Sequence, residues 1–268
     1  MPARYPERIV CLTEETTETL YLLGEERRIV GISGYTVRPP RARREKPRVS
    51  AFLSAKNDAI LALKPDLVLG FSDLQADIAR DLAKAGLNVA LFNQRSVDEI
   101  LSMVLMLASM VGAAERGQKL VGELEKSLDA VRDAARRLPR RPRVYFEEWD
   151  EPMISAIRWV SELVEIAGGE DVFADLSRSQ AATGRIVNSE AVVKKAPDIL
   201  VASWCGKKFR PERVRSRAGW EAVPAVRDGE LHEVKSAEIL QPGPAALTDG
   251  VRRLHAIIAR WAEKPRAR

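Results

Sequence analysis

The chain has 268 residues, 46% of them hydrophobic and 30% charged, and a formal net charge of +5. This balance excludes a disordered chain and suffices to bury one large core or two modest ones. The charge is small for the size and does not mark a nucleic-acid binder, and the longest apolar run, residues 100–111, is broken by Ser102 and Ser109 and is too short to span a bilayer.

Residues 1–7 lead straight into the first strand with no hydrophobic segment of their own, so no secretory signal is expected. A strand over 9–12 precedes a helix over 16–23, stopped by Gly24; Thr13, Glu14 and Glu15 supply a cap and early-turn carboxylates. A second strand, 29–32, opens into a basic, proline-spaced loop over 38–48. A helix over 57–63, a strand over 67–69, a helix over 74–85 and a strand over 89–92 complete an alternating α/β lobe, residues 1–95. No strand is expected from 97 to 138. Apolar residues there recur at helical spacing (Ile100, Val104, Leu107, Val111, then Leu120, Leu124, Leu128, Val131) with a break near Gly112. Residues 96–138 are therefore a helical connector, with one long helix inside 113–137. The second lobe, 139–268, follows a basic loop over 136–143 with strand 143–146, helix 160–167 ended by Gly168 and Gly169, helix 189–195, strands 199–202 and 230–234, and a last helix over 248–262.

One pattern occurs twice. Ile60-Leu-Ala-Leu-Lys-Pro-Asp-Leu-Val-Leu-Gly70 returns as Val192-Val-Lys-Lys-Ala-Pro-Asp-Ile-Leu-Val-Ala202. In each copy proline ends a helix and the apolar run after the aspartate suits a strand buried on both faces. The expected architecture is two Rossmann-like α/β lobes bridged by a long helix, with a ligand cleft between the lobes.

Chemistry-bearing residues are sparse. Cys11 and Cys205 allow one disulfide at most and lack the CxxC or histidine partners of a metal site; both stand at strand ends that could face the cleft. His232 and His255 suit structural roles. Glu147, Glu148 and Asp150 lie close together, with alternation placing Glu147 and Trp149 on one strand face and Glu148 and Asp150 on the other, but no nucleophile, metal set or base accompanies them. No GxGxxG or Walker A sequence follows a predicted strand, so a nucleotide-using α/β enzyme is the weaker reading.

Four segments in order, Arg8-Ile-Val-Cys-Leu-Thr-Glu-Glu-Thr-Thr-Glu-Thr-Leu-Tyr-Leu-Leu-Gly24, Leu63-Lys-Pro-Asp-Leu-Val-Leu69, Ser161-Glu-Leu-Val-Glu-Ile-Ala-Gly-Gly-Glu-Asp-Val-Phe173 and Gly219-Trp-Glu-Ala-Val-Pro-Ala-Val-Arg-Asp-Gly-Glu-Leu231, resemble the helical-backbone (class III) substrate-binding proteins of ABC importers, the group that takes up cobalamin, ferric siderophores and haem. The likeness is nearest to cobalamin-binding proteins. It implies a non-enzymatic function: a monomeric periplasmic carrier without catalytic cofactor or metal, binding a corrinoid (cobalamin or cobinamide) in the cleft and delivering it to a permease. The alternatives are a ferric siderophore or haem, or, given no secretory signal, a cytoplasmic corrinoid carrier. The implied ligand residues are Thr13, Glu14, Glu15, Tyr35, Arg38, Phe52, Phe71, Glu148, Trp149, Trp159, Trp204 and Gln241. Aromatic faces suit a large flat macrocycle, and Glu148 suits hydrogen bonds to ligand amides. Phe52 and Phe71 fit packing equally well, and Trp220 and Trp261 fit the core. Asp77 and Glu190 match the acidic residues by which each lobe engages permease arginines, Asp77 being aspartate where the family has glutamate. A Ser-Pro-Ser type sequence is replaced by Thr13-Glu14-Glu15, which argues against a strongly anionic siderophore; the basic loop over 38–48 argues the other way.

Overall fold

The computed structural model describes residues 5–265. The reading that no leader precedes the first strand rests partly on residues 1–4, outside that range. Among the described residues no helix is long and apolar enough to cross a membrane. Contacts divide the chain into two units, one running to Gln94 and taking in Asp98–Leu124, the other made of Arg95–Val97 and the chain from Glu125 onward.

In the first lobe, β1 (Ile9–Cys11), β2 (Ile29–Ser33), β3 (Arg48–Ala51), β4 (Ser54–Ala55), β5 (Leu67–Phe71) and β6 (Val89–Phe92) form one sheet in the order β4-β3-β2-β1-β5-β6. All neighbours run parallel except β3 and β4. Its helices are α1 (Glu14–Leu22), α2 (Ala42–Glu45), α3 (Asn57–Ala62), α4 (Ala76–Lys84) and most of α5 (Val97–Met110). The sequence of β5, Leu-Val-Leu-Gly-Phe, is buried throughout, as a strand covered on both faces requires. Val10, Leu12, Val49, Ile60, Val68 and Leu82 pack around it into one core, each burial contributing about 1.5–3 kcal/mol. Strand β3 lies at the end of the basic loop; arginine and proline around Val49 hide its strand character.

The strand-free interval contains α6 (Ala114–Ala135), whose contacts fall with the first lobe up to Leu124 and with the second from Glu125. Leu120, Leu124, Leu128 and Val131 are its buried face. Gly117 lets α6 approach α5, since a Cβ there would lie 2.4 Å from the Ala108 Cβ.

In the second lobe, β7 (Arg143–Asp150), β8 (Met153–Ser155), β9 (Glu170–Asp171), β10 (Ile199–Ala202) and β11 (Leu231–Glu233) form a sheet ordered β11-β10-β7-β8, with β9 also beside β7. Only the β7–β8 pairing is antiparallel. Around it lie α7 (Arg158–Ile166), α8 (Ser189–Lys195), α9 (Pro211–Arg215), α10 (Pro224–Arg227), α11 (Ser236–Ile239) and α12 (Val251–Ala262), the last entered through a π-helical turn at Ala246–Gly250. Thus the expected fold is present: α/β, two sheets in two lobes. Strand β7 runs four residues past the expected end at 146 because its charges are paired within the lobe, as described below.

The duplicated Pro-Asp pattern does the same structural work in each lobe. Asp66 accepts hydrogen bonds from the Glu7 and Arg8 amides (2.7 and 2.9 Å), and Asp198 accepts one from the Arg143 amide (2.8 Å). Each aspartate therefore caps the amino end of the neighbouring parallel strand, β1 or β7. Arg8 and Arg143 reach the carbonyls at the end of the preceding helix, of Leu63 and Lys195 respectively. The residues before the prolines, Lys64 and Ala196, both adopt left-handed φ (48° and 45°), which closes each helix before its strand begins.

Candidate functional site

In an open parallel sheet the loops at the carboxyl ends of the strands are where ligands bind. Most residues singled out from the sequence lie on those loops, and each lobe holds its own set.

On the first lobe, Thr13, Glu14 and Glu15 join β1 to α1. Glu15 is 1% exposed; its Oε1 accepts from the Thr13 hydroxyl at 2.5 Å, while Oε2 has no hydrogen-bond partner among the described residues. Burial, reinforced by the neighbouring Glu14 and Glu18 and opposed by the Thr13 bond, pushes the Glu15 carboxyl up to about 8. Burial likewise pushes Glu14 up to about 7. Burial thus favours the neutral form of both carboxyls, which can donate as well as accept a hydrogen bond. Cys11, also buried, has its thiol pushed up to about 12 by burial and is inert. Arg38 is paired with Glu18 at 2.8 Å, and Tyr35 is 56% exposed. Phe52 is half-buried and Phe71 buried. The two are tied together by Gln75, which sequence reasoning missed. Its fully buried amide accepts from the Phe71 amide (3.0 Å) and donates to the Phe52 carbonyl (2.9 Å). Gly70 makes room for it, since a Cβ there would lie 2.5 Å from Gln75 Oε1. That glycine inside an apolar strand was the available signal.

On the second lobe the carboxylates of β7 are engaged one by one. Glu147 is buried and accepts from the Tyr145 hydroxyl (3.1 Å), the Trp204 indole (3.0 Å) and both arms of Arg217 (2.6 and 3.0 Å). Burial would lower the Arg217 guanidinium, yet the Glu147 bonds outweigh it and raise it. Glu148 forms a two-armed pair with buried Arg185 (2.6 and 3.2 Å), which also donates to the Ser155 carbonyl. Asp150 is held by Lys207 and Arg213, each at 2.9 Å; they overcome its burial and keep its carboxyl below the usual range. Each of these three β7 carboxylates is thus held by at least one cation of the same lobe. The β7–β8 pairing shifts register between Glu147 and Trp149, which interrupts the strict alternation expected. Trp149 and Asp150 consequently share one cation, Lys207, whose Nζ lies 3.8 Å from the Trp149 ring centre.

The tryptophans separate. Trp149 is half-buried, its indole donating to the Glu151 carbonyl at 2.8 Å. Trp159 and Trp204 are each 3% exposed, donate to the Ile239 carbonyl (2.9 Å) and to Glu147, and pack inside their lobe, Trp204 edge-on to Phe209. Their indoles are thus engaged by the second lobe's own interior. Gln241 is half-buried beyond α11. Trp220 is wholly buried, as expected. Cys205 is exposed and Cys11 buried, and no disulfide joins them. His232 bonds Glu230 and His255 the Ala167 carbonyl. No cluster able to hold a metal occurs among the described residues.

Asp77, 85% exposed at its side chain, opens α4 and pairs with Arg80 at 2.7 Å. Glu190 is exposed in the first turn of α8, after the Asn188 cap. Each stands at the carboxyl edge of its own lobe's sheet.

Comparison with known proteins places this arrangement. A family model described as "Periplasmic binding protein" matches residues 9–238. A "Vitamin B12-binding protein" of Yersinia pestis is 28% identical over 205 residues, covering 76% of this chain and 71% of that protein. An uncharacterized ABC transporter substrate-binding lipoprotein of Bacillus subtilis is 25% identical over 259 residues, 93% of this chain and 79% of that one. Among solved structures, the periplasmic heme-binding protein RhuT from Roseiflexus sp. RS-1 superposes with a TM-score of 0.79 at 25% identity, over 94% of this chain and 99% of that chain. The chain belongs to the periplasmic binding protein family. Within it, two α/β lobes and the single helix α6 are those of the helical-backbone class that serves ABC importers.

Proposed function

We propose that this protein is the corrinoid-binding component of an ABC importer, working in the periplasm and delivering its ligand to a membrane permease. The carboxyl-edge loops of the lobes supply the ligand contacts: Thr13, Glu14, Glu15, Tyr35, Arg38 and Phe52 from the first, Trp149 and Gln241 from the second. Trp159, Trp204, Phe71 and Glu148 act one step behind them, holding those loops in place. The observation that carries the ligand class is the pair Glu14 and Glu15, proton-holding carboxyls with one Glu15 oxygen unpartnered. A corrin macrocycle bears a fringe of neutral amides, which donate to and accept from such carboxyls whether or not they carry a proton. The carboxylates of a siderophore or the propionates of haem would meet repulsion there whenever Glu14, at about 7, gives up its proton. The 28% identical relative named for vitamin B12 supports the same choice.

The test is a panel: cobinamide, cyanocobalamin, haemin and a ferric hydroxamate are each mixed with the protein and separated by gel filtration, with the ligand followed by its absorbance. Co-elution of corrinoid with a dissociation constant below about 10 µM is expected. Retention of haemin or the hydroxamate without corrinoid would reject the reading.

A further inference from the structure

The basic loop of the first lobe divides into two groups of cations. Arg38 is paired with Glu18, and Arg41 with Glu26 while its guanidinium stacks on Tyr21 at 4.9 Å. These hold the loop to α1 and its flank. Arg43, Lys46 and Arg48, joined by Lys56 from the start of α3, have no side-chain ion pair or hydrogen bond among the described residues. All four line one cavity of about 600 Å³, together with the hydroxyl-bearing Ser50 and Ser54, and no aspartate or glutamate lines it. The cavity belongs to the first lobe alone, at the β3–β4 edge of its sheet; Glu15, at the start of α1 after β1, and Phe71, at the end of β5, lie further in.

Four like charges gathered around a recess repel one another, and none of the four is ion-paired among the described residues. Surface cations without a role ordinarily spread or pair with acids, as Arg80, Arg132 and Arg136 do here with aspartates three residues before them. Convergence without a counter-charge is the arrangement that binds a multiply charged anion, with guanidinium forks matching phosphate or carboxylate oxygens and the serine hydroxyls completing the shell.

We propose that this cavity is a second binding site, for a compact polyanion of phosphate type, held by Arg43, Lys46, Arg48 and Lys56. The recess accepts a diphosphate-sized group. The phosphate can be free in solution or belong to a lipid headgroup, and the shared chemistry is the doubly charged oxyanion.

Calorimetric titration with pyrophosphate and inorganic phosphate, and co-sedimentation with phosphatidic acid vesicles against phosphatidylcholine vesicles, separate the two sources. The variants are Arg43→Ala with Lys56→Ala, both exposed and unpartnered, and a control of equal charge change, Arg44→Ala with Lys84→Ala, outside the cavity. Wild type is expected to bind pyrophosphate, or the anionic vesicles, or both; the cavity variant is expected to weaken that binding at least about tenfold and the control less than about twofold. Added salt should weaken it further. Absence of binding in both arms up to about 10 mM anion, or an equal loss in the control, would overturn the proposal. Cobinamide affinity, measured on the same cavity variant, is expected to be unchanged, so failure of this site and failure of the corrinoid reading are separate results.

Discussion

Replacing Glu15 by glutamine removes an ionisation that the fold opposes. The Glu15 carboxyl lies at about 8 in the folded protein against an ordinary value of 4.5, with burial the largest cause. Between those values the folded state binds more protons than the unfolded one, so stability falls as pH rises from about 4.5 to about 8. The full cost above that window is roughly 3–5 kcal/mol for a group so deeply buried. Glutamine keeps an Oε1 for the Thr13 hydroxyl but places an amide nitrogen where Oε2 has no partner, a cost of about 1–3 kcal/mol that does not vary with pH. The variant is therefore expected to be equal to or less stable than wild type near pH 5 and more stable near pH 8.5, the two curves crossing between. Depressed carboxyls such as Asp150 and Glu230 lose stability as pH falls in both proteins and cancel in the difference. The assay must read the first lobe. All five tryptophans lie at residue 149 or beyond, in the second unit, so their fluorescence is blind to it. Urea unfolding followed by hydrogen exchange of β1 and α1 peptides reports the correct lobe. Parallel pH curves for variant and wild type would refute the argument.

Asp66→Ala and Asp198→Ala should each destabilise their own lobe by about 1–3 kcal/mol, because amides at the start of β1 or β7 lose their acceptor; lobe-resolved hydrogen exchange checks that each effect stays local. Arg217→Met leaves Glu147 buried with its principal counter-charge gone and should cost about 3–5 kcal/mol in urea unfolding read by tryptophan, while the pair Glu147→Gln, Arg217→Met should recover much of it. If the single and double variants unfold alike, the ion pair is not what stabilises β7. Trp149→Phe should weaken corrinoid binding by about tenfold with little change in unfolding, whereas Trp204→Phe should lower stability first. Binding to the cognate permease in nanodiscs should fall with salt and be lost only when Asp77→Ala and Glu190→Ala are combined, since exposed ion pairs are individually worth about 0–1 kcal/mol.

The sequence made the lobes legible because the duplicated Pro-Asp pattern is local: the proline, the left-handed residue before it and the capping aspartate are adjacent in the chain. Helix α6 was equally legible from the spacing of Leu120, Leu124, Leu128 and Val131. The site was less so. Trp204 and Trp149 both leave strands through polar residues, and nothing nearby distinguishes them. What buries Trp204 is Glu147, 57 residues earlier, and what buries Trp159 is the Ile239 carbonyl, 80 residues later. Likewise the charges of β7 read as the end of a strand, because Arg217, Arg185 and Lys207, which neutralise them, come from distant segments. Gln75 had only Gly70 as its signal, since its partner Phe71 is four residues away but its other partner, Phe52, lies 23 residues earlier.

The central proposal is that the protein binds a corrinoid through loops at the carboxyl ends of its parallel strands. Hydrogen exchange with and without saturating cobinamide tests it most directly. The account predicts added protection in peptides containing Thr13 to Glu15, Tyr35 to Arg38 and Glu148 to Trp149, and none in those containing Asp66 or Asp198 at the opposite strand ends. Protection confined to the Asp66 and Asp198 ends, or none anywhere at saturating ligand, would contradict it.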